Sequence, residues 1–250
     1  MARLTLISDI HGNGVALDTV LADVAAREVD EIVCLGDLAA GGPQPRQVLR
    51  RLRELGCRAV RGNADRWLLD GLPPGRSEAT RRLAETVAWT RTQLRDDDLA
   101  YLAALPATVR CSVGGLELLS VHGSPRSDLE RLLATTSDAA LDELFACAGA
   151  HVLAAGHTHL QLLRRHSDRL LVNPGSVGLP LGTTTGSAPP LPNVAEYALV
   201  TVRAGDVEIA FRRLPTDIDA LGAASAAMPH ATWASDLEQR IRRWNARASQ

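Results

Sequence analysis

Asp9, His11, Asp37, Asn63, His122, His157 and His159 all stand at the ends of short apolar runs. Asp9 and His11 lie in Ser8-Asp9-Ile10-His11-Gly12-Asn13, directly after residues 4–7. Asp37 follows residues 32–35 through Gly36, and Asn63 follows residues 59–61 through Gly62. His122-Gly123 closes the run 116–121, and Gly156-His157-Thr158-His159 closes 151–155. Imidazole and carboxylate donors with no thiolate suit Mn, Fe, Zn, Co or Ni better than Mg or Ca. Singly, Asp37 or Asn63 reads as a turn former or helix cap. Together, the five segments in this order read as a metal centre. Asp9 and His11 are two positions apart, as are His157 and His159. In an extended segment that spacing puts both side chains on one side, where they can share an ion. Glycines at 12, 36, 62, 123 and 156 are expected to turn the backbone sharply and let it approach an anion.

Residues so far apart in sequence meet if the runs are strands of an open α/β sheet, where ligands gather at the carboxyl ends. The pattern supports this. Residues 4–7 read as a strand, 14–27 as a helix, 31–35 as a strand, 45–55 as a helix and 57–61 as a strand. Pro45 suits the first helical turn and Gly56 the position after a helix end. This alternation favours parallel strands joined by crossovers. Residues 66–105 read as an Arg-rich helical excursion broken by Pro73, Pro74 and Gly75, whose Arg76, Arg81, Arg82, Arg91 and Arg95 either form a solvated face or offer guanidinium groups to an anionic substrate. Three hairpins are expected later, 107–113 with 116–121, 160–166 with 169–172, and 198–202 with 207–211. A helix is expected near 139–147 and a strand at 151–155. Residues 183–192 form a Thr/Gly/Pro loop, and a charged helix is expected at 235–247. There Trp233, Leu237, Ile241 and Trp244 at helical spacing could dock on the domain or pair with a second copy, which leaves a homo-oligomer open.

The 250 residues, 46% of them hydrophobic, suffice for a sizeable core. We expect residues 1–215 to form the domain that carries the site and 216–250 a C-terminal helical extension. All 27 basic residues are Arg, yet the net charge is -2. Such a balance gives no basic surplus of the kind nucleic-acid binding needs. Cys34, Cys57, Cys111 and Cys147 are widely spaced with no CxxC pair, which fits a reducing compartment. The N-terminal apolar run is too short for a signal-peptide core or a membrane span. A soluble, cytoplasmic protein is therefore expected.

With all five segments in order from Asp9 to His159, the sequence resembles the calcineurin-like metallophosphoesterases over residues 3–213. It is most similar to the small prokaryotic, phosphodiesterase-like branch. Gly42-Pro43-Gln44-Pro45 and Asn173-Pro174-Gly175-Ser176-Val177 carry that narrower likeness. The resemblance implies an α/β fold, a four-layer αββα sandwich of two mixed β-sheets flanked by helices, with the three late hairpins fitting the second sheet. It also implies two divalent transition-metal ions, Mn first and Fe, Zn, Ni or Co as alternatives. Asp9, His11 and His159 would hold one ion, Asn63, His122 and His157 the other, and Asp37 would bridge them. A water or hydroxide between the metals would attack phosphorus, with Asp37, Asn63 and His122 as the catalytic set. Asn63 and Arg66 would contact substrate. Asn13 would either orient the substrate or serve only as a turn residue.

One position departs from the family pattern. Where many members carry a His thought to protonate the leaving oxygen, this chain has Ala64. Alanine donates no proton, which favours phosphodiesters and activated esters over simple alkyl monoesters. Asp65 reads as a helix cap or a residue that orients a ligand. The alternatives are a protein or nucleotide phosphatase or, from another class, a catalytically weak metal-binding scaffold for protein partners, like the retromer subunit that resembles this family. A scaffold should have lost ligands, and none is missing here.

Overall fold

Every second residue of the first strand faces a different core, and this sets the layers. The computed structural model describes residues 1–180, 194–226 and 228. In β1 (Ala2–Ile7), Leu4 and Leu6 pack into one apolar cluster while Ile7 packs into another. A strand buried on both faces belongs in the middle of a sheet covered on both sides. β1 leads to α1 (Gly14–Ala25), β2 (Glu31–Cys34), α2 (Pro45–Glu54) and the two-residue β3 (Arg58–Ala59). The helical excursion comprises α3 (Asn63–Asp70), α4 (Glu78–Gln93) and α5 (Asp96–Ala104). Then follow β4 (Thr108–Val113), β5 (Leu116–Val121), α6 (Asp138–Ala148), β6 (Val152–Ala155), β7 (Gln161–His166) and β8 (Arg169–Pro174). β9 (Val194–Arg203), β10 (Asp206–Pro215) and α7 (Ile218–Ser225) complete the described chain.

Two five-stranded sheets result, ordered β10-β9-β1-β2-β3 and β4-β5-β6-β8-β7. β1, β2 and β3 run parallel, as do β5, β6 and β8, while the hairpin strands pair antiparallel, so both sheets are mixed. Between the sheets Leu4, Leu6, Val33, Leu35 and Val60 meet Val109, Cys111, Leu118, Val152 and Val172. Outside the first sheet lie Leu17 and Val20 of α1, Leu49 and Leu52 of α2, and Leu68, Val87 and Leu102 of the excursion. Outside the second lie Leu141, Leu144 and Phe145 of α6. The protein is thus the expected four-layer αββα sandwich.

Several expectations need correction. The third hairpin lies in the first sheet, with β9 antiparallel to β1 (Leu4 opposite Val200). The reason is in its side chains. Ala198, Val200 and Val202 enter the core between the sheets while Ala195, Tyr197 and Leu199 enter the helix-side core, so β9 needs a central place. Its strands span ten residues each, twice the expected length. β3 is shorter than expected because Arg61 turns away, its amide bonding to the carbonyl of Pro106. Residues 183–192 and 235–247, with Trp233 and Trp244, lie outside the described residues. Among the described residues no helix is long and apolar enough to cross a membrane.

Candidate metal centre

All seven candidate ligands sit at the carboxyl ends of β1, β2, β3, β5 and β6, with Asn63 as the first residue of α3. The backbone there is not extended. Asp9, His11, Asp37, His157 and His159 have φ of 53°, 49°, 55°, 65° and 57°, in the left-handed region. Residues other than glycine enter it rarely, and each such conformation costs on the order of 1–3 kcal/mol, which the surroundings must offset. The i, i+2 pairs therefore converge through tight left-handed turns and not through strand alternation. Of the glycines, Gly36 (φ 95°) supplies a turn of its own. A Cβ there would also stand 2.9 Å from His122 Nδ1. Gly156 serves by having no side chain at all, since a Cβ would press on Ser8 Oγ and stand 2.8 Å from Asp9 Oδ2.

Three imidazoles are aimed by the same device. His11 Nδ1 donates to the carbonyl of Ala40 at 2.7 Å, His122 Nδ1 to that of Leu35 at 2.7 Å, and His159 Nδ1 to that of Leu179 at 2.8 Å. A carbonyl only accepts, so the proton is on Nδ1 and each Nε2 faces the cluster. His11 Nε2 lies 3.1 Å from His159 Nε2, and His122 Nε2 lies 2.9 Å from Asn63 Oδ1. Asp37 Oδ2 stands between them, 3.6 Å from His11 Nε2 and 3.4 Å from His122 Nε2. Asp9 is fully buried; its Oδ2 accepts from Ser8 Oγ at 2.6 Å and from the amide of His157 at 3.0 Å. Its Oδ1 is 3.2 Å from His159 Nε2 and 3.9 Å from His11 Nε2, in ion-pair range of both, and accepts no hydrogen bond.

Such an orphaned carboxylate oxygen beside converging imidazole nitrogens fits a divalent cation. Two close-set donor groups emerge, Asp9 with His11 and His159, and Asp9 with Asp37 and His122. His157 belongs to neither, though its ring packs edge-on against that of His122 with centroids 5.1 Å apart. The electrostatics agree with tight coupling. Burial disfavours charge on His122, but the carboxylate of Asp37 outweighs it and lifts the imidazole to about 10. His159 is raised in the same way, against burial, by Asp9. Both carboxylates are held down, Asp9 chiefly by His159 and Asp37 by His122, against burial that pushes each up. Burial lowers His11 and His157.

The substrate candidates are differently placed. Asn13 caps α1, accepting from the amide of Ala16 and donating to the carbonyl of Gly178. Arg66 forks onto Asp128 at 2.6 and 3.0 Å. Arg76, Arg81, Arg82, Arg91 and Arg95 are exposed. Four further residues support the cluster, Ser8, Asp65, Asn173 and Ser176, and the expected helix cap at Asp65 is present, its Oδ2 accepting from the amide of Gly62. Ser8 orients Asp9. Asp65 accepts from the amides of Gly62, Leu38 and Ala39, tying the second segment to the third, and burial with the nearby Asp37 charge raises it to about 7. Asn173 donates to the carbonyl of Gly156 and to Thr158 Oγ1, while Ser176 Oγ donates to the carbonyl of Asp9. The Asn173–Val177 segment thereby clamps the first and last ligand loops. Beside the cluster opens a cavity of about 170 Å³ lined by His11, Asn63, Ala64, Trp67, Leu83 and Val87, among others.

Comparison with known proteins places these features. A model of the calcineurin-like phosphoesterase superfamily domain matches residues 2–204. The crystal structure of a metallophosphoesterase from Sphaerobacter thermophilus is similar with a TM-score of 0.72 and 29% identity, covering 95% of this chain and 98% of that one. The phosphodiesterase YfcE of Escherichia coli K12 is 28% identical over 200 residues, 75% of this chain and 85% of YfcE. A shorter stretch of 67 residues is 46% identical to the symmetrical bis(5'-nucleosyl)-tetraphosphatase of Pectobacterium carotovorum, 26% of this chain and 24% of that enzyme.

Proposed function

Since the chain belongs to the calcineurin-like phosphoesterase superfamily, we propose that it hydrolyses phosphodiesters or activated phosphate esters with the aid of two divalent metal ions. The observation that carries this reading is the buried Asp9 Oδ1, which accepts no hydrogen bond, within a cluster of oriented imidazoles. Asp9, His11 and His159 would hold one ion, and His122, Asn63 and His157 the other. The position of Asp37 Oδ2 between His11 and His122 supports its role as the shared ligand. Two divalent ions would supply Lewis acidity toward the phosphate oxygens and a water acidic enough to attack near neutral pH.

The chain's own residues would do the rest. The Nδ1–H bonds of His11, His122 and His159 hold the rings rigid, so no reorganisation is needed as charge builds on phosphate. With its Oδ1 turned to His122, Asn63 presents its amide NH2 as a donor for a phosphate oxygen. Ala64 has no proton to give, so the leaving group must be acidic enough to depart alone. YfcE, whose name is that of a phosphodiesterase, supports the diester preference. The similarity to the tetraphosphatase supports a second reading, a nucleotide phosphatase, over a smaller part of the chain. The reading predicts a soluble, cytoplasmic hydrolase with manganese as its first metal.

The test is hydrolysis after chelation and return of Mn²⁺, comparing bis(p-nitrophenyl) phosphate with p-nitrophenyl phosphate and then with dinucleotides and phosphopeptides. Mn²⁺-restored diester cleavage that is lost in His122→Ala is expected. Turnover of neither nitrophenyl ester with Mn²⁺, Ni²⁺, Co²⁺ or Zn²⁺ would refute it.

A further inference from the structure

The cavity beside His11 and Asn63 has walls unlike the centre it adjoins. Trp67 of α3, Leu83 and Val87 of α4, and Leu179 are its large side chains, and Ala40, Gly41 and Ala64 keep the rest of the wall shallow. Thr86, which also lines it, already donates its hydroxyl to the carbonyl of Arg82 and so asks nothing of a ligand. At about 170 Å³ the cavity is smaller than whole-ligand pockets, which run roughly 300–1,000 Å³. It therefore has room for one piece of a substrate.

Resting on the phosphoester reading, we propose that this cavity seats one planar aromatic group of the ester, packed on Trp67 between Leu83 and Val87, while the phosphate lies at His11 and Asn63. An aromatic ring suits it because its faces are apolar and pack well on an indole. Phosphate and ring would thus be recognised separately, the first by the oriented imidazole and amide groups and the second by α3 and α4. The helical excursion would then set which esters are bound, while the strand-end residues carry out the hydrolysis common to all of them.

The experiment is calorimetry of the Mn²⁺-supplied protein with phenylphosphonate, cyclohexylphosphonate and methylphosphonate. Phenylphosphonate should bind at least about tenfold more tightly than the other two, as discrimination by an apolar pocket allows. Val87→Trp fills the cavity and should erase that advantage while leaving methylphosphonate unchanged. Because Val87 is buried, Leu83→Asp at the more exposed wall provides a second variant and should act in the same direction. Equal affinities, an equal gain for cyclohexyl, an advantage that survives both variants, or no binding of any phosphonate would each overturn the proposal. Hydrolysis of bis(p-nitrophenyl) phosphate judges the underlying activity separately, so the two failures are distinguishable.

Discussion

His11 Nε2 and His159 Nε2 stand 3.1 Å apart although 148 positions separate them in the chain. Each ring commits its other nitrogen to a backbone carbonyl, so the two inward nitrogens cannot turn away from one another. Two lone pairs at that distance repel unless a proton or a cation lies between them. The same logic applies at Asp37 and His122, where charge pairing raises the imidazole to about 10.

The hydroxyl of Ser8 is predicted to matter to metal affinity without touching the ion. It donates to Asp9 Oδ2 at 2.6 Å and so fixes which oxygen faces the cluster. Removing such an orienting bond typically weakens metal binding about 10–100-fold. Ser8→Ala should show that loss in competition with a chromogenic chelator, with its melting temperature little changed. Wild-type affinity in the variant would contradict the role.

Asp65 is predicted to be structural. Its carboxylate accepts from the amides of Gly62, Leu38 and Ala39, all buried. Asp65→Ala leaves these donors unpaired, at a cost on the order of 1–3 kcal/mol each. Urea unfolding should show a loss of about 3 kcal/mol or more, whereas a loss below about 1 kcal/mol would refute the tie between the loops.

Much of the site was legible because each ligand directly follows an apolar strand, and strand ends are where parallel sheets gather ligands. The mode of convergence was not. Asp9, His11, Asp37, His157 and His159 adopt left-handed backbone, a conformation that Asp and His enter more readily than most residues, but which residue types alone do not announce. The sheet assignment of β9 was equally hidden. A hairpin signal is local, while the choice of β1 as partner depends on two cores that form only when distant helices and strands assemble. The reach of Asp65 beyond its cap to Leu38 and Ala39, and of Asn173 to Gly156 and Thr158, is not written in the sequence because those partners belong to other loops.

Ala64→His should restore a proton donor in the wall of the cavity. We predict at least a tenfold gain in kcat for esters with alkoxide leaving groups and little change for p-nitrophenyl esters, since a positioned acid contributes about 100-fold to 10,000-fold where protonation limits. The larger side chain should also weaken phenylphosphonate binding. A uniform change across leaving groups would show that position 64 does not act on departure.

Away from the centre, Asp23 of α1 pairs with Arg27 and reaches Tyr197 of β9 and Arg212 of β10. The hydrogen bonds from Arg27, aided by the Tyr197 hydroxyl, hold its carboxyl below the usual range despite burial. The stability it contributes is therefore complete above the unfolded pKa, near about 3.9, and is lost as pH falls through the lower folded value. Wild type should exceed Asp23→Asn in urea midpoint by a constant margin above about pH 5, narrowing on further acidification. A margin independent of pH would contradict the assignment.

The most direct test of the dinuclear reading is to titrate the chelator-stripped protein with Mn²⁺ while following cleavage of bis(p-nitrophenyl) phosphate. Two oriented donor groups with Asp37 between them predict activity that rises until two equivalents are bound. Full activity at one equivalent, or undiminished activity in the stripped protein, would contradict it.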